Sequence, residues 1–325
     1  MSAPLQGATI GVFGTDEATK AALMAALGKK SEAEGITVYH RTEGGRRLSL
    51  LSSSDYPGRI QGYSRVASLS DHAHYIFPKS GRLSAPDGEL AVLLEALGLP
   101  GTIQVLDGST TPEGAAAALK GTAVAGFPVE ERNSQSTSLD TLRVSPRADL
   151  PKSGTLVYVD RVFSVKGVGT VALGFILSGE VRVHDELRPV PSPKEGVTAE
   201  VRGIQINDQD FDAAGRGIRV GLSLRGAEPR DLEKSLWFDD GSFALSETLA
   251  LRMNRSPFYR QELAGRDLHV QLAGEALTAR LSGGSDGTLS ASLPTKVPVW
   301  EGMRAAVLDL NAKALRVAGG GTLKL

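Results

Sequence analysis

Cysteine is absent from this chain of 325 residues. That one absence removes disulfides, thiolate metal sites and cysteine nucleophiles together, and it is compatible with a reducing compartment. Aromatics make up only 5% of the residues, too few for extended base-stacking platforms. Net charge is also missing: 36 Lys and Arg stand against 37 Asp and Glu, a formal charge of -1, so no global positive field draws in nucleic acid. Any RNA contact has to be local, and a DNA partner is not expected. Long hydrophobic runs are lacking too. The best, Leu90 to Leu99, is about half a membrane span and carries Glu95. No basic segment followed by an apolar stretch opens the chain, and it reads as soluble and cytoplasmic, without a membrane partner.

What is present is glycine, 38 residues of it, together with enough apolar residues, 41%, to fill several cores. Charge is spread unevenly. Basic and acidic residues number 14 against 16 over 1–150, 12 against 14 over 151–240, and 10 against 7 over 241–325, so only the last third is basic. No fixed-period repeat or low-complexity tract breaks the pattern.

Up to about residue 145, short β-rich runs alternate with helical ones. Thr9 to Phe13 precedes Glu17 to Leu27, Tyr75 to Phe77 precedes Asp87 to Leu97, and Ile103 to Leu106 precedes Pro112 to Leu119. This predicts a βαβ-type, mostly parallel sheet. The polar, Ser-rich stretch 132–138 is expected to be an exposed loop. After Asp149-Leu150-Pro151 the helical period disappears, and short alternating segments recur between Gly, Pro and Asp turns. Three domains are expected: 1–150, 151–240 and 241–325, the last two all-β.

Residues 157–187 read VYVDRVFSVKGVGTVALGFILSGEVRVHDEL. Val157, Val159, Val162 and Val165 are strand formers, and Gly167 and Gly169 permit a sharp reversal before the strand that starts at Thr170. A meander opening a small barrel follows from this alone. The string Val162-Phe163, Lys166-Gly167-Val168-Gly169-Thr170-Val171, Gly174, Ser178-Gly179 and Asp185 also resembles the signature of the second domain of translational GTPases. The likeness is greatest to elongation factor Tu and the selenocysteine-specific elongation factor. It continues through Val201 to Gln205, Gly217 to Leu224 and Asp231 to Lys234, about 80 residues in all.

The resemblance implies a GTPase-like α/β domain followed by two elongation-factor-type β-barrels. It also implies a barrel that helps bind the aminoacylated end of tRNA, with Asp160, Arg161 and Arg219 at the positions of a polar pocket for the aminoacyl group or terminal nucleotide. Arginine fixes phosphate or carboxylate through paired hydrogen bonds, and an adjacent aspartate orients it. An ordinary surface ion pair is the alternative reading of the same residues. In the last domain, Ala314 to Val317 with Gly319-Gly320-Gly321 resembles the close of the third domain in the selenocysteine-factor group. Arg252, Arg255 and Arg260, interleaved with Phe258 and Tyr259, are candidate RNA contacts; a solvated strand edge is the plainer reading.

The first domain lacks the chemistry that its order of motifs implies. A phosphate-binding loop reads G-x-x-x-x-G-K-[ST], so that backbone N–H groups and Lys meet the phosphates while the hydroxyl holds magnesium. Here Gly14 and Lys20 survive, but Thr19 replaces the second Gly, Ala21 the hydroxyl, and Asp16-Glu17 would repel a triphosphate. Thr37 resembles the end of the first switch, and Asp55-Tyr56-Pro57-Gly58 the D-x-P-G of the second. Only 14 residues separate Lys20 from Gly35, and Arg59 stands where the family has the His that orients water. After the strand at Ile103, Leu106-Asp107-Gly108-Ser109 takes the place of the guanine-reading N-K-x-D. Losing two such contacts, at about 1.5 to 3 kcal/mol each, weakens binding by about two to four powers of ten.

The expectation is an elongation-factor-like protein that binds aminoacyl-tRNA or another ribosome-associated translation component. No catalytic residues are expected, and GTP and magnesium are expected to be lost as cofactors, with Gly14, Lys20, Thr37, Asp55 and Gly58 left as a degenerate nucleotide site. The alternatives are an active GTP-binding factor with divergent motifs, and a regulatory scaffold for a protein partner. His72 and His74 share a strand face but find no third ligand in the sequence, so no metal site is expected. No G-x-S-x-G elbow supports a hydrolase.

Overall fold

The structure is a computed structural model that describes residues 7–33, 35–43, 46–106, 108–132, 144, 147, 149–151, 153–192, 196–284 and 288–325. The first body is a seven-stranded sheet in the order β2-β3-β4-β1-β5-β6-β7. Its elements are β1 (Gly7–Phe13), α1 (Glu17–Leu27), β2 (Lys29–Ala33), β3 (Ile36–Glu43), β4 (Arg46–Ser52), α2 (Gln61–Leu69), β5 (His72–Ile76), α3 (Ala85–Ala96), β6 (Gly101–Leu106), α4 (Pro112–Ala118) and β7 (Val129–Arg132). Strands β4, β1, β5, β6 and β7 run parallel, and β2–β3–β4 is an antiparallel meander at one edge. Parallel strands are buried on both faces, and β5 is buried at every residue. Residues 133–138 of the expected polar loop lie outside the described residues; Arg132 ends β7.

The second body is built from β8 (Leu156–Val165), β9 (Gly169–Ser178), β10 (Glu180–Arg182), β11 (Glu186–Val190), β12 (Ala199–Ile206), β13 (Gln209–Phe211), β14 (Ala213–Gly215), β15 (Arg219–Arg225), the short α5 (Pro229–Leu232) and β16 (Trp237–Asp239). Seven of these strands form a sheet ordered β11-β16-β8-β9-β15-β12-β13. The further β11–β12 pairing brings that sheet round on itself, and Val157, Ile176, Val201, Ile204 and Phe238 fill the interior. The third body is a closed barrel, β17-β20-β19-β18-β21-β22, made of β17 (Ala244–Arg255), β18 (Asp267–Leu272), β19 (Glu275–Gly283), β20 (Leu289–Val299), β21 (Arg304–Leu308) and β22 (Val317–Leu323). A mixed α/β domain followed by β-rich domains is the architecture expected from the sequence.

The three bodies share one core. Tyr158, Phe175 and Trp237 of the second body pack into the same cluster as Tyr63 and Leu93 of the first and Leu272 and Val307 of the third. Burying each such side chain stabilises the assembly by about 1.5 to 3 kcal/mol. The seams are stitched by polar groups as well. Ser64 Oγ donates to Gln271 Oε1 at 2.7 Å, Gln271 Nε2 to Ser68 Oγ at 2.9 Å, and Trp237 Nε1 to Ala273 O at 2.7 Å. Two glycines permit close backbone approaches between the bodies. A side chain at Gly320 would overlap the Ala96 carbonyl at the end of α3, and at Gly217, where φ is 78°, a Cβ would lie 2.5 Å from Gly7.

Candidate functional site

At the top of the first sheet, the chain turns from strand to helix in three residues. β1 ends at Phe13 and α1 begins at Glu17, so the long loop that would wrap a phosphate is replaced by Gly14, Thr15 and the N-cap Asp16. The Asp16 carboxylate accepts the Thr19 N–H at 3.1 Å, and that bond, with the Thr19 hydroxyl, holds its pKa below the usual carboxylate value. A fixed negative charge thus occupies the helix N-terminus, where backbone N–H groups otherwise favour an anion.

The early helix start carries Lys20 to the second turn and points it inward. It is 2% exposed; its ammonium donates to Ser53 O at 3.1 Å and to the Tyr63 hydroxyl, pairs with Glu17 at 2.7 Å, and sits 4.9 Å from the Tyr63 ring centre. The Tyr63 hydroxyl in turn donates to Gly14 O at 3.1 Å, and burial raises its pKa.

The remaining motif residues gather near the end of β4, in other duties. The residues that would form the first switch are the end of α1 and β2, and Thr37 lies within β3, registered against Glu32 and Ser52. Asp55 is exposed. Gly58 is tethered: its carbonyl accepts Arg316 Nη1 from the third body at 3.2 Å. Arg316 also grips Glu89 of α3, with its backbone N at 2.7 Å and Nε at 3.1 Å from Oε1, while the Tyr56 hydroxyl lies 3.1 Å from Glu89 Oε2. Asp107, in the N-K-x-D position, lies outside the described residues; Gly108 beside it is in a turn with φ 75°.

A cleft of about 480 Å³ separates the β2–β3 hairpin from the second body. Lys29, Lys30 and His40 line one side, and Phe163, Val168 and Leu173 the other. Val168, at the tip of the β8–β9 hairpin, is 43% exposed. Arg219 reaches the cleft from β15. Burial, then Arg219 and Arg47, push the His40 pKa down to about 4, while Ser31 Oγ at 2.9 Å and Ser49 Oγ at 3.2 Å hold its ring nitrogens.

Of the three residues singled out for the aminoacyl pocket, two meet. The register shift between Val159 and Arg161 makes Asp160 the extra residue of a β-bulge, and the Arg219 guanidinium bonds its Oδ2 at 2.8 Å. Asp160 Oδ1 is buried with no partner among the described residues. Arg161 points outward, exposed, and lines a separate pocket of about 180 Å³ with Asp160, Arg65 and Glu275. On the third body, Arg252 and Arg255 line a groove that does not include Arg260. Tyr259 is buried and Phe258 is 51% exposed. His72 and His74 hydrogen-bond Thr102 at 3.4 and 3.1 Å, and no acidic or histidine cluster suited to a metal occurs among the described residues. Sequence reasoning missed Lys29, Lys30 and His40, which reach the cleft only through the hairpin, and Arg316. The signal available was the alternation of Ile36 and Val38 with polar neighbours.

Residues 169–237 match the family described as elongation factor Tu domain 2. With the α/β domain ahead of it and the closed barrel behind, the chain has the architecture of the translation elongation factors it resembles. Its relatives include selenocysteine-specific factors. The chain is 28% identical over 188 residues to the selenocysteine-specific elongation factor of Methanocaldococcus jannaschii, which spans 50% of this chain and 39% of that one. It is 27% identical to an uncharacterized protein of the same organism, over 98% of this chain and 100% of that one. Among solved structures, translation elongation factor SelB from Methanococcus maripaludis, in complex with the GTP analogue GppNHp, superposes with a TM-score of 0.79 at 18% identity, over 100% of this chain and 80% of that one. The bacterial selenocysteine-specific elongation factor EF-Sec gives 0.82 at 16% identity, over 98% of this chain and 58% of that one.

Proposed function

We propose that this protein binds the acceptor end of an aminoacyl-tRNA in the cleft between the β2–β3 hairpin and the second body, without a nucleotide switch. The cleft carries the reading: Phe163, Val168 and Leu173 form an apolar wall for a base or an amino-acid side chain, and Lys29, Lys30 and Arg219 supply charge for the terminal phosphates. Asp160 holds Arg219 in a fixed orientation rather than leaving it mobile. The test is filter binding of charged and uncharged tRNA across a salt series, with wild type, Lys30→Ala and Phe163→Ala. Charged tRNA is expected to bind more tightly, Phe163→Ala to weaken it about tenfold, and Lys30→Ala to lower the salt slope by about one. Equal binding of both tRNAs with neither variant differing from wild type would overturn the reading.

Loss of the switch is supported by the same geometry that closes the phosphate site. Lys20 has its hydrogen bonds inside the protein, Asp16 occupies the helix N-terminus, and the D-x-P-G loop is fastened to the third body. A nucleotide would have to displace buried bonds before making its own. Calorimetric titration with GTP and magnesium is expected to show no saturable heat at tens of micromolar protein. A saturating isotherm removed by Lys20→Ala would restore the active-GTPase alternative.

A further inference from the structure

Where α3 meets the closed barrel there is another cavity, of about 300 Å³, remote in sequence from the cleft residues. Its floor is the glycine run 319–321 of β22, one wall is Val92, Glu95 and Ala96 of α3, and the other is β17 from Arg252 onward. Arg304 closes one end. The register explains the charge: Arg252 of β17 and Arg304 of β21 both pair with Thr322 of β22, so two guanidiniums flank one hydroxyl in a single row across three strands. Adjacent strands are about 4.8 Å apart, which sets the two arginine backbones about 10 Å from each other.

Neither Arg252 nor Arg304 has a hydrogen-bond or ion-pair partner among the described residues, although Arg304 lies against Gly98 at the end of α3. The third arginine in the lining, Arg255, is engaged, its Nε donating to Tyr259 O at 3.3 Å. The single acid in the lining, Glu95, turns its Oε2 to the Ala123 N–H at 3.3 Å. The groove therefore presents two arginines without ion-pair partners among the described residues, beside the apolar wall of Val92 and Ala96.

The geometry points to a docking groove for an acidic, aliphatic-bearing peptide segment of a partner protein, laid in extended form across β17, β22 and β21 at the level of Thr322. Carboxylates two residues apart in an extended chain are about 7 Å from each other, within reach of both guanidiniums once their flexible stems lean inward. The aliphatic side chain between them points to the opposite side, where Val92 and Ala96 of α3 form the wall. An RNA backbone suits the groove less well: it needs cations along a polar track, and the exposed Phe258 and Arg260, which would supply stacking and a further charge, lie outside the lining. The site is independent of the acceptor-end cleft, and the tRNA reading can fail without it.

The experiment is fluorescence anisotropy of the full chain with a fluorescein-labelled nonapeptide of alternating Asp and Leu. A Lys–Leu peptide and an oligouridylate of the same charge as the Asp–Leu peptide serve as comparisons. Saturable binding of the acidic peptide is expected, weakened about tenfold by Arg252→Ala and again by Arg304→Gln, and unchanged by Arg260→Ala. Arg252 is exposed, so its variant reads the site without touching the core. Binding unaltered in the double variant, equal binding of the Lys–Leu peptide, or tighter binding of the oligouridylate would each overturn the proposal.

Discussion

Glu89→Ala is expected to lower stability by about 3 to 5 kcal/mol, one of the two largest effects anticipated for this protein. Glu89 is 4% exposed, and its carboxylate is the hub on which Tyr56, α3 and the third body converge. Truncating it leaves the Arg316 guanidinium, whose side chain is 15% exposed, without its counter-charge, held by the Gly58 carbonyl and by Tyr56, 5.5 Å from the ring centre. A buried ion pair gives little net stability over an apolar replacement, but half of one is costly. The double variant Glu89→Leu/Arg316→Met should accordingly regain much of what the single variant loses. Urea unfolding followed by fluorescence and circular dichroism together reads the effect, since a three-domain chain can unfold in steps. A loss below about 1 kcal/mol in Glu89→Ala would show that this contact does not hold the seam.

The same contact bears on function. In a nucleotide switch the D-x-P-G loop and the helix after it must be free to move between two arrangements. Here the loop is tied by Arg316 to the barrel, and α2 by Ser64, Ser68 and Arg65 to Gln271, Gly274 and Glu275. These bonds, buried at Gln271 and Gly274 and exposed at Gly58, favour one arrangement of the first and third bodies, which is the physical content of the proposal that the switch is lost.

The helices α1, α3 and α4 were legible in the sequence because each is a run of strong helix formers, chiefly Ala, Leu and Glu, that follows a β-rich run. The β8–β9 hairpin was legible because Gly167 and Gly169 mark its turn. α2 was not: its inward face mixes Tyr63, Val66 and Ala67 with Ser64 and Ser68, whose partners lie some 200 residues away on the barrel, as with the 207-residue separation of Ser64 and Gln271. The amphipathic period is nonetheless present in α2, more strongly than in α1 or α3, and it went unread because the segment follows the D-x-P-G taken for a switch. The meander β2–β4 was obscured in the same way, because Thr37 and Asp55 were read as switch positions and the alternation between them was left aside. Lys20 was seen as a remnant of phosphate chemistry, and its burial follows from where α1 starts, which local capping by Asp16 decides. The pairing of Asp160 with Arg219 depends on a bulge, and the row Arg252, Thr322, Arg304 on barrel register; neither is encoded in local spacing.

Acidification should destabilise the fold between pH 6.5 and 4, before most carboxylates titrate. His40 and His72 have pKa values pushed down to about 4 from 6.5, in both cases chiefly by burial, with Arg219 and Arg47 adding to the effect at His40. Both rings are thus neutral in the folded protein above pH 4, whereas the unfolded chain takes up protons as the pH falls through 6.5. Their contribution is therefore fully present above about pH 6.5, shrinks as the pH drops, and levels off near 4. Shifts of this size correspond to about 3 kcal/mol per histidine as an upper limit. Asp16, Asp240 and Asp309, lowered from their ordinary 3.8, act under this window, and Glu200, lowered from 4.5, enters only its lower edge. Replacing His40 by Asn keeps polar contact available to Ser31 and Ser49 while removing the proton site. The expected result is a flatter stability profile in His40→Asn and a flatter one still with His72→Asn; an unchanged slope between pH 6.5 and 4.5 in the double variant would show that neither ring is held neutral by the fold.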